Sequence, residues 1–313
     1  MIRLLIVCLY ICTLSFKISA LEASQLDPIS KEKTYTPFDF KNVFLEIPNS
    51  LEISLNTVIQ KKNIPYWVGV LGSTALLYKY DEDILRESEK FGRDSGIGNK
   101  DNTKTVISYK TFPLLRLPTD TGSLFYFLGD GWTHLGIAFG HYLYGQNTDN
   151  AKASTIGLQL MNGLATSTII NQVLKRASGR ESPNTRTEYR GRWRPGPSFK
   201  AYGERTGSYD AMPSGHIMTA TLTFTVLRNN YPDQEYWMEP LEYVWLTLLG
   251  YQMINNGVHW ASDYPIGIAT GYVVGNVVSK LGVSEIEAKQ KNSWFFFPSF
   301  ENNTSSLNAL LLF

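Results

Sequence analysis

The sequence predicts an all-α fold, a helical bundle, from three observations. From about Phe112 onward the chain is a series of blocks of 15 to 24 residues with few charges, which are too long for buried strands. The blocks carry Gly, Ala, Ser and Thr at spacings of three and four residues, a pattern typical of packed helices. Hydrophobic residues make up 43% of the 313-residue chain, which is enough to bury a large core.

The predicted helices of this region follow one another at 124–145, 153–176, 215–230, 237–256 and 261–281. Another helix is predicted at 65–79, and the charged, glycine-punctuated stretch after it is expected to form a short helix and an exposed loop. Asp130 is expected to cap the helix that follows it. Gly267, Gly271 and Gly275 form two successive GxxxG steps, which permit close contact between helices.

The first 20 residues have the layout of a secretory signal peptide. Arg3 is an early cation, an apolar run covers residues 4–16, and Ser19 and Ala20 end the segment. An uncleaved anchor helix is the alternative, although the apolar run is short for a membrane span. The favoured interpretation is an exported protein, periplasmic if its source is bacterial.

The rest of the chain divides by composition into three parts. Residues 21–62 form a polar N-terminal arm in which prolines at 28, 37 and 48 break any long helix. Residues 63–283 form a helical domain, and residues 284–313 form a short C-terminal tail in which a strand pair is expected. Polar side chains within 153–174 favour a soluble bundle over a polytopic membrane protein, an alternative that stays open.

The overall charge excludes some functions. A formal net charge of +1, with 18% charged residues, carries no signature of a nucleic-acid binder, so no nucleic-acid partner is expected. Any anion site must therefore be local. Cys8 and Cys12 are the only cysteines and lie in the first 20 residues, so the mature chain would have no cysteine nucleophile and no thiolate metal site.

The stretch YDAMPSGHIMTATLTF, residues 209–224, joins a turn to a helix. Pro213, Ser214 and Gly215 form the turn, and the free backbone N–H groups at the start of a helix are a ready anion site. His216 at the same point can give or take a proton. This combination suggests an enzyme that handles a phosphate group.

A second pair of residues, His259 and Asp263, lies in the stretch NNGVHWASDYP. On a helix their spacing of four places both side chains on one face, where the carboxylate accepts the imidazole N–H and fixes which nitrogen faces outward. An oriented neutral imidazole is a nucleophile. A helix-surface contact without chemistry is the alternative.

A third element, LKRASGRESPN, lies at the end of the 153–176 block. Lys175, Arg176 and Arg180 are separated by a Ser-Gly turn and can converge on one anion from different directions. A solvated cationic surface is the alternative for this cluster.

Together these three elements resemble the motifs of the type 2 phosphatidic acid phosphatase (PAP2) superfamily, which also includes class A acid phosphatases and vanadium haloperoxidases. The matching positions are Lys175 with Pro183, then 213–216, and then the His259 segment, which follows His216 by 43 residues. The resemblance covers about 112–281. It implies an all-α core bundle with the site at one end.

The resemblance also implies a role for each matching residue. His259 is similar to the nucleophile that forms a phosphohistidine, with Asp263 orienting it. His216 is similar to the general acid for the leaving-group oxygen. No metal or other cofactor is implied. Three groups of this chain are similar to the family's cradle for the non-bridging oxygens: the Lys175 side chain, the Ser214 hydroxyl and the Gly215 backbone N–H.

Two arginines of the family pattern are absent. Ser182 stands where the first motif has an arginine before its proline, and Met253 stands six residues before His259, where the third motif has another. A hydroxyl or a thioether does not replace a bidentate guanidinium. Arg180 and one arginine of the linker between the first two motifs are hypothesised to fill the gap, against the alternative that these arginines bind nothing.

The predicted function is therefore an exported, metal-independent phosphatase acting on a phosphomonoester, a lipid phosphate or a lipid pyrophosphate. A lipid substrate would bring association with a membrane surface. Two rivals are a vanadate-dependent haloperoxidase and a catalytically silent relative that binds an anionic lipid or scaffolds an envelope complex. His134 and His141 are seven residues apart, about 10 Å along a helix, so structural roles are predicted for both.

Overall fold

The computed structural model describes residues 31–110, 112–287, 293–301 and 304–312, and these are mostly helical. The predicted signal peptide lies outside the described residues. The prediction of a helical bundle is confirmed. The helices are α1 (Asn42–Leu45), α2 (Ile47–Ile59), α3 (Ile64–Asp94), α4 (Thr121–Phe127), α5 (Gly131–Asn147), α6 (Ala151–Ser178), α7 (Phe199–Glu204), α8 (Gly215–Asn230), α9 (Glu235–Asn255) and α10 (Tyr264–Val278).

Besides the helices, the described residues include strands that form three antiparallel pairs. The pair after α10 agrees with the strand pair expected in the tail, whereas the other two were not predicted. The first pair joins the N-terminal arm to the end of α10, so its partners are far apart in the sequence and leave no local signal. The pairs are β1 (Lys31–Tyr35) with β4 (Val283–Glu287), β2 (Thr103–Tyr109) with β3 (Phe112–Pro118), and β5 (Ser293–Glu301) with β6 (Thr304–Leu312).

Helix α3 is longer than the sequence predicted. One helix of 31 residues replaces the expected helix, short helix and loop, because the charged stretch contains no proline and its first glycine, Gly92, comes near the end. Leu77, Asp81, Ile84 and Ser88 are buried and recur every three or four residues, so one face of the charged half packs on the core. This packing places the Asp81 carboxylate inside the protein.

The predicted helix at 124–145 is divided into α4 and α5. The division falls at Gly129 and Asp130, and the Asp130 carboxylate accepts a hydrogen bond of 2.8 Å from the Trp132 N–H, so the predicted cap is confirmed. A Cβ atom on Gly129 would lie 2.7 Å from the Cβ of His216. The bend therefore brings the chain against the first turn of α8.

Helix α6 buries polar side chains that hold other elements to it. Asn162 accepts a hydrogen bond from the Ser50 hydroxyl at 2.9 Å and donates to the Val43 carbonyl at 2.7 Å, which ties the N-terminal arm to α6. Gln159 donates to the Ser279 carbonyl at 3.0 Å. Among the described helices, none combines the length and apolar character that a membrane crossing requires.

Helices α8 and α10 are in backbone contact. A Cβ atom on Gly271 would lie 2.3 Å from the Met218 carbonyl oxygen, and one on Gly267 would lie 2.7 Å from the Ser214 carbonyl oxygen. The close contact that the GxxxG steps permit is present here. Because the first turns of the two helices lie side by side, the PSGH and HWASD segments meet at one end of the bundle.

Candidate active site

Two histidine rings lie next to each other at this end of the bundle. The ring centroids of His216 and His259 are 6.1 Å apart, and the planes cross at 70°. His216 lies in the first turn of α8 and is half-buried, whereas His259 lies in the turn between α9 and α10 and is 2% exposed. The two imidazoles are close enough to act on one small anion.

The His259 ring is oriented by a backbone carbonyl and by a carboxylate. Its Nδ1 lies 2.6 Å from the Ala211 carbonyl oxygen and 3.5 Å from Oδ2 of Asp263. Because a carbonyl oxygen can only accept, Nδ1 carries the proton and Nε2 keeps its lone pair. The nearer partner, Ala211, was not predicted, because a backbone carbonyl leaves no trace in the residue type.

His259 and Asp263 do not share a helix face, so the predicted helical setting of the pair is wrong. Gly257, with φ of +65°, turns the chain after α9, and a 3-10 turn over Ala261–Asp263 leads into α10. Oδ2 of Asp263 accepts a hydrogen bond of 2.7 Å from the Trp260 N–H. A capped turn, and not a helix surface, therefore brings the carboxylate to the imidazole.

Arg180 lies behind Asp263 and is closed off from solvent. Its side chain is 0% exposed, and its guanidinium donates to Oδ1 of Asp263 at 2.6 Å and to Oδ2 of Asp81 at 2.7 Å. The Ser262 hydroxyl accepts a further bond at 2.7 Å. The guanidinium thus holds the orienting carboxylate and does not face a substrate oxygen, in contrast to the hypothesis drawn from the sequence.

The charges of this buried group shift one another's pKa values. Burial raises the pKa of Asp81, and the charge of Arg180 offsets this only in part. Burial also opposes ionisation of Asp263, but Arg180 and His259 outweigh it and place the pKa of Asp263 below its usual range. Burial acts against the charge of Arg180, yet the two carboxylates raise its pKa. Asp263 therefore stays ionised beside His259 at neutral pH.

Lys175 points from the last turn of α6 toward a carboxylate that was not predicted. Its Nζ donates to Oδ2 of Asp210 at 2.6 Å and to the carbonyl oxygen of the same residue at 2.7 Å. The Tyr202 hydroxyl donates to Oδ1 of Asp210, and burial together with this carboxylate raises the pKa of Tyr202. Asp210 lies three residues before Pro213, so an acidic residue beside the turn was the available signal.

Ser214 and Gly215 begin α8. The Ser214 side chain caps the helix, its hydroxyl donates to the Met253 sulfur at 3.7 Å, and it is 0% exposed. A Cβ atom on Gly215 would lie 2.8 Å from Nδ2 of Asn171, so glycine permits this approach. Asn171 lies one helical turn before Lys175, and this spacing was the signal that could have identified it as a site residue. Its Oδ1 has no hydrogen-bond partner among the described residues.

A family model for the PAP2 superfamily matches residues 156–285, a range that contains all three motif segments. These residues form a PAP2 superfamily domain. The comparison with curated proteins and the comparison with solved structures each gave no match.

The PAP2 domain keeps both histidines of its motifs but not the two arginines. Met253 is fully buried in the core, and Ser182 is 5% exposed, so both side chains are part of the packing. Four cations of the linker between the first two motifs have acidic partners within the protein. The pairs are Arg186 with Glu82, Arg192 with Glu188, Arg194 with Glu181, and Lys200 with Glu204.

His216 of the PAP2 domain packs against Tyr126 of α4, with ring centroids 4.7 Å apart. Burial, together with the charges of His259 and Lys175, lowers the pKa of His216 to about 3. The imidazole is therefore neutral at pH 7 in the free protein, and a bound anion beside it would favour its protonation. Tyr126 was not predicted as part of the site, because it lies before the matched motifs.

The other two histidines lie elsewhere. His134 is fully buried, its Nδ1 is 2.9 Å from the Thr223 hydroxyl, and burial lowers its pKa to about 4. Nδ1 of His141 donates to the Ile137 carbonyl at 2.9 Å. These contacts agree with the structural roles predicted for both residues.

Proposed function

We propose that the PAP2 domain is a phosphatase that works through a phosphohistidine on His259. The observation that carries the proposal is the bond between Nδ1 of His259 and the Ala211 carbonyl, with the His216 ring 6.1 Å away. This arrangement leaves Nε2 of His259 available to attack phosphorus. The proposal includes export, on the basis of residues 1–20, and a phosphomonoester or a lipid phosphate or pyrophosphate as substrate.

The proposed reaction has two steps. Nε2 of His259 attacks phosphorus and forms an N–P bond, while the leaving oxygen departs with a proton from His216. His216 then takes a proton from water, the water oxygen attacks phosphorus, and the N–P bond breaks to release phosphate. Lys175 and the Gly215 N–H stabilise the charge that builds on the non-bridging oxygens, and Asp263 stabilises the imidazolium.

Phosphate release from a panel of soluble and lipid phosphates tests the proposal. We expect His259→Ala to lower kcat/KM by about 10⁴-fold or more and His216→Ala to lower it by about 10²- to 10⁴-fold. His141→Ala, which changes a half-buried histidine outside the site, is the matched control and keeps full activity. Mass spectrometry of acid-sensitive, alkali-stable phosphopeptides locates the intermediate. Activity that persists in His259→Ala overturns the proposal.

A silent relative that binds a phosphate-bearing ligand is the second candidate, because Ser182 and Met253 replace two phosphate-clamping arginines. Calorimetric binding of a lipid phosphate without turnover of any substrate would support this candidate. Halide oxidation in the presence of vanadate would instead support the haloperoxidase alternative.

A further inference from the structure

We propose that the Asp210 carboxylate, held on Lys175, makes this site select phosphoryl groups that carry a single negative charge. This inference rests on the proposed function and names its substrate class. A phosphodiester has one ionisable proton and meets the requirement at any pH above the pKa of that proton. A phosphomonoester meets it only while it keeps one proton.

The contacts of Lys175 are the first argument. Its ammonium has three N–H donors, and two of them reach Asp210, one at the carboxylate and one at the carbonyl. Tyr202 donates to the other carboxylate oxygen, so the carboxylate is held on both sides. The side chain of Asp210 is 26% exposed and that of Lys175 is 6% exposed, so this pair lies at the border between the interior and solvent.

The other charges around the site do not supply a surplus of cations. Arg180 is paired with Asp81 and Asp263, and all three side chains are 0% exposed. Arg176 lies over the Tyr202 ring, 4.3 Å from its centroid, and donates to Gln172. Three cations of this region, Lys175, Arg176 and Arg180, are thus matched by three carboxylates, Asp81, Asp210 and Asp263.

Further carboxylates act on Tyr126, beside His216. Tyr126, which packs on His216, has its pKa raised by burial and then by the charges of Asp101, Asp130 and Asp210. In the related pattern, arginines at the positions of Ser182 and Met253 would balance a second negative charge. A dianion bound to Lys175 would therefore lie beside the Asp210 carboxylate without those partners. At a separation of about 4 Å in a partly buried site, repulsion of the second negative charge is enough to favour the monoanion more than tenfold.

The proposed reaction accommodates a diester without further groups. Nε2 of His259 forms the N–P bond, and one ester oxygen leaves with the proton of His216. The phosphoryl group keeps its second ester, so it stays singly charged on the histidine. Water then breaks the N–P bond, and the product is a phosphomonoester.

The experiment compares p-nitrophenyl phosphate with methyl p-nitrophenyl phosphate, which share one leaving group but differ in charge. At about pH 8 the monoester is a dianion, because its second ionisation lies near or below about pH 6. We expect Asp210→Asn to raise the monoester-to-diester ratio of kcat/KM at least tenfold. Glu204→Gln removes an exposed carboxylate on nearby α7 and should leave the ratio unchanged.

A second measurement needs no variant. In the wild-type protein the monoester-to-diester ratio should fall about tenfold per pH unit above the second ionisation of the monoester. His216 acts on both substrates, so its titration cancels in the ratio. This measurement decides the question even if Asp210→Asn fails to fold.

The outcomes separate the two proposals. A ratio that is the same in Asp210→Asn and wild type, or that does not fall with pH, overturns selection by charge while His259-dependent turnover stands. Absence of turnover of both substrates and of the whole panel of soluble and lipid phosphates by the wild-type protein, at the same background rate as His259→Ala, overturns the proposed function and this inference with it.

Discussion

Two groups of paired charges adjoin His259, and they differ in their contact with solvent. Arg180 with Asp81 and Asp263 is wholly enclosed, whereas Lys175 with Asp210 is partly exposed. A buried charge that loses its partner is left without compensation, but an exposed charge is compensated by water. The enclosed group is therefore a fixed part of the fold, whereas the partly exposed pair lies where a bound anion could reach Lys175 while Asp210 stays in place.

The two groups also differ in where their residues come from. The exposed pair joins α6 to the segment before α8, both inside the PAP2 domain. The enclosed group includes Asp81 of α3, which lies before the matched residues. Orientation of the His259 imidazole thus depends on a helix that the family motifs do not include.

The largest expected effect is on the enclosed group. Arg180→Ala should lower the free energy of unfolding by about 3–5 kcal/mol, because it leaves two carboxylates buried without their cation. Denaturant unfolding measures the change. Arg176→Ala is the matched control, since its guanidinium lies over the Tyr202 ring, and it should cost about 1 kcal/mol or less. Equal losses of unfolding free energy in the two variants would show that the enclosed group contributes no more to stability than a half-buried arginine does.

Acid should reveal a second enclosed group, the imidazole of His134. Its pKa is about 4 in the folded protein and about 6.5 in the unfolded chain. Between these values the unfolded chain binds a proton that the folded protein does not, so stability falls as pH falls, by about 1.4 kcal/mol per pH unit and about 3 kcal/mol in all. Above pH of about 6.5 the full stability is present.

The variant His134→Asn tests this contribution. It should remove about 1.4 kcal/mol per pH unit from the slope of unfolding free energy between about pH 4 and 6.5, whatever its stability at neutral pH. An unchanged slope in His134→Asn would show that His134 is not the enclosed group that titrates.

A smaller effect on stability is expected at the partly exposed pair of Lys175 and Asp210. Lys175→Met should lower the free energy of unfolding by about 1–3 kcal/mol, less than Arg180→Ala does, because Asp210 keeps its contact with solvent and its bond from the Tyr202 hydroxyl. The same substitution should lower kcat/KM by about 10²-fold, since it removes a donor to the phosphoryl oxygens. A loss of stability as large as that of Arg180→Ala would place both pairs in the fold and neither in substrate binding.

The sequence was sufficient for features with a local signal. The motif at 213–216 and the pair His259 and Asp263 identified the residues that meet at one end of the bundle, and Asp130 was recognised as a cap. The length of α3 was underestimated, because a charged surface masked the periodicity of its buried face.

The partners in the site were less predictable. Asp81 and Arg180 are 99 residues apart, so neither has a local pattern that points to the other. The Ala211 carbonyl is a backbone group, which any residue could supply. Asp210 lies in the stretch 209–224 that contains the PSGH motif, but its contact with Lys175 depends on how the chain returns to α6.

The position of Asp81 has a practical consequence for the choice of a truncated fragment for expression. A recombinant fragment cut to 156–285 would contain Arg180 and Asp263 but would lack the second counter-charge and the α3 surface that shields them. Such a fragment would expose to solvent an ion pair, Arg180 with Asp263, that is fully buried in the intact chain. The shortest useful expression product therefore starts upstream of Ile64.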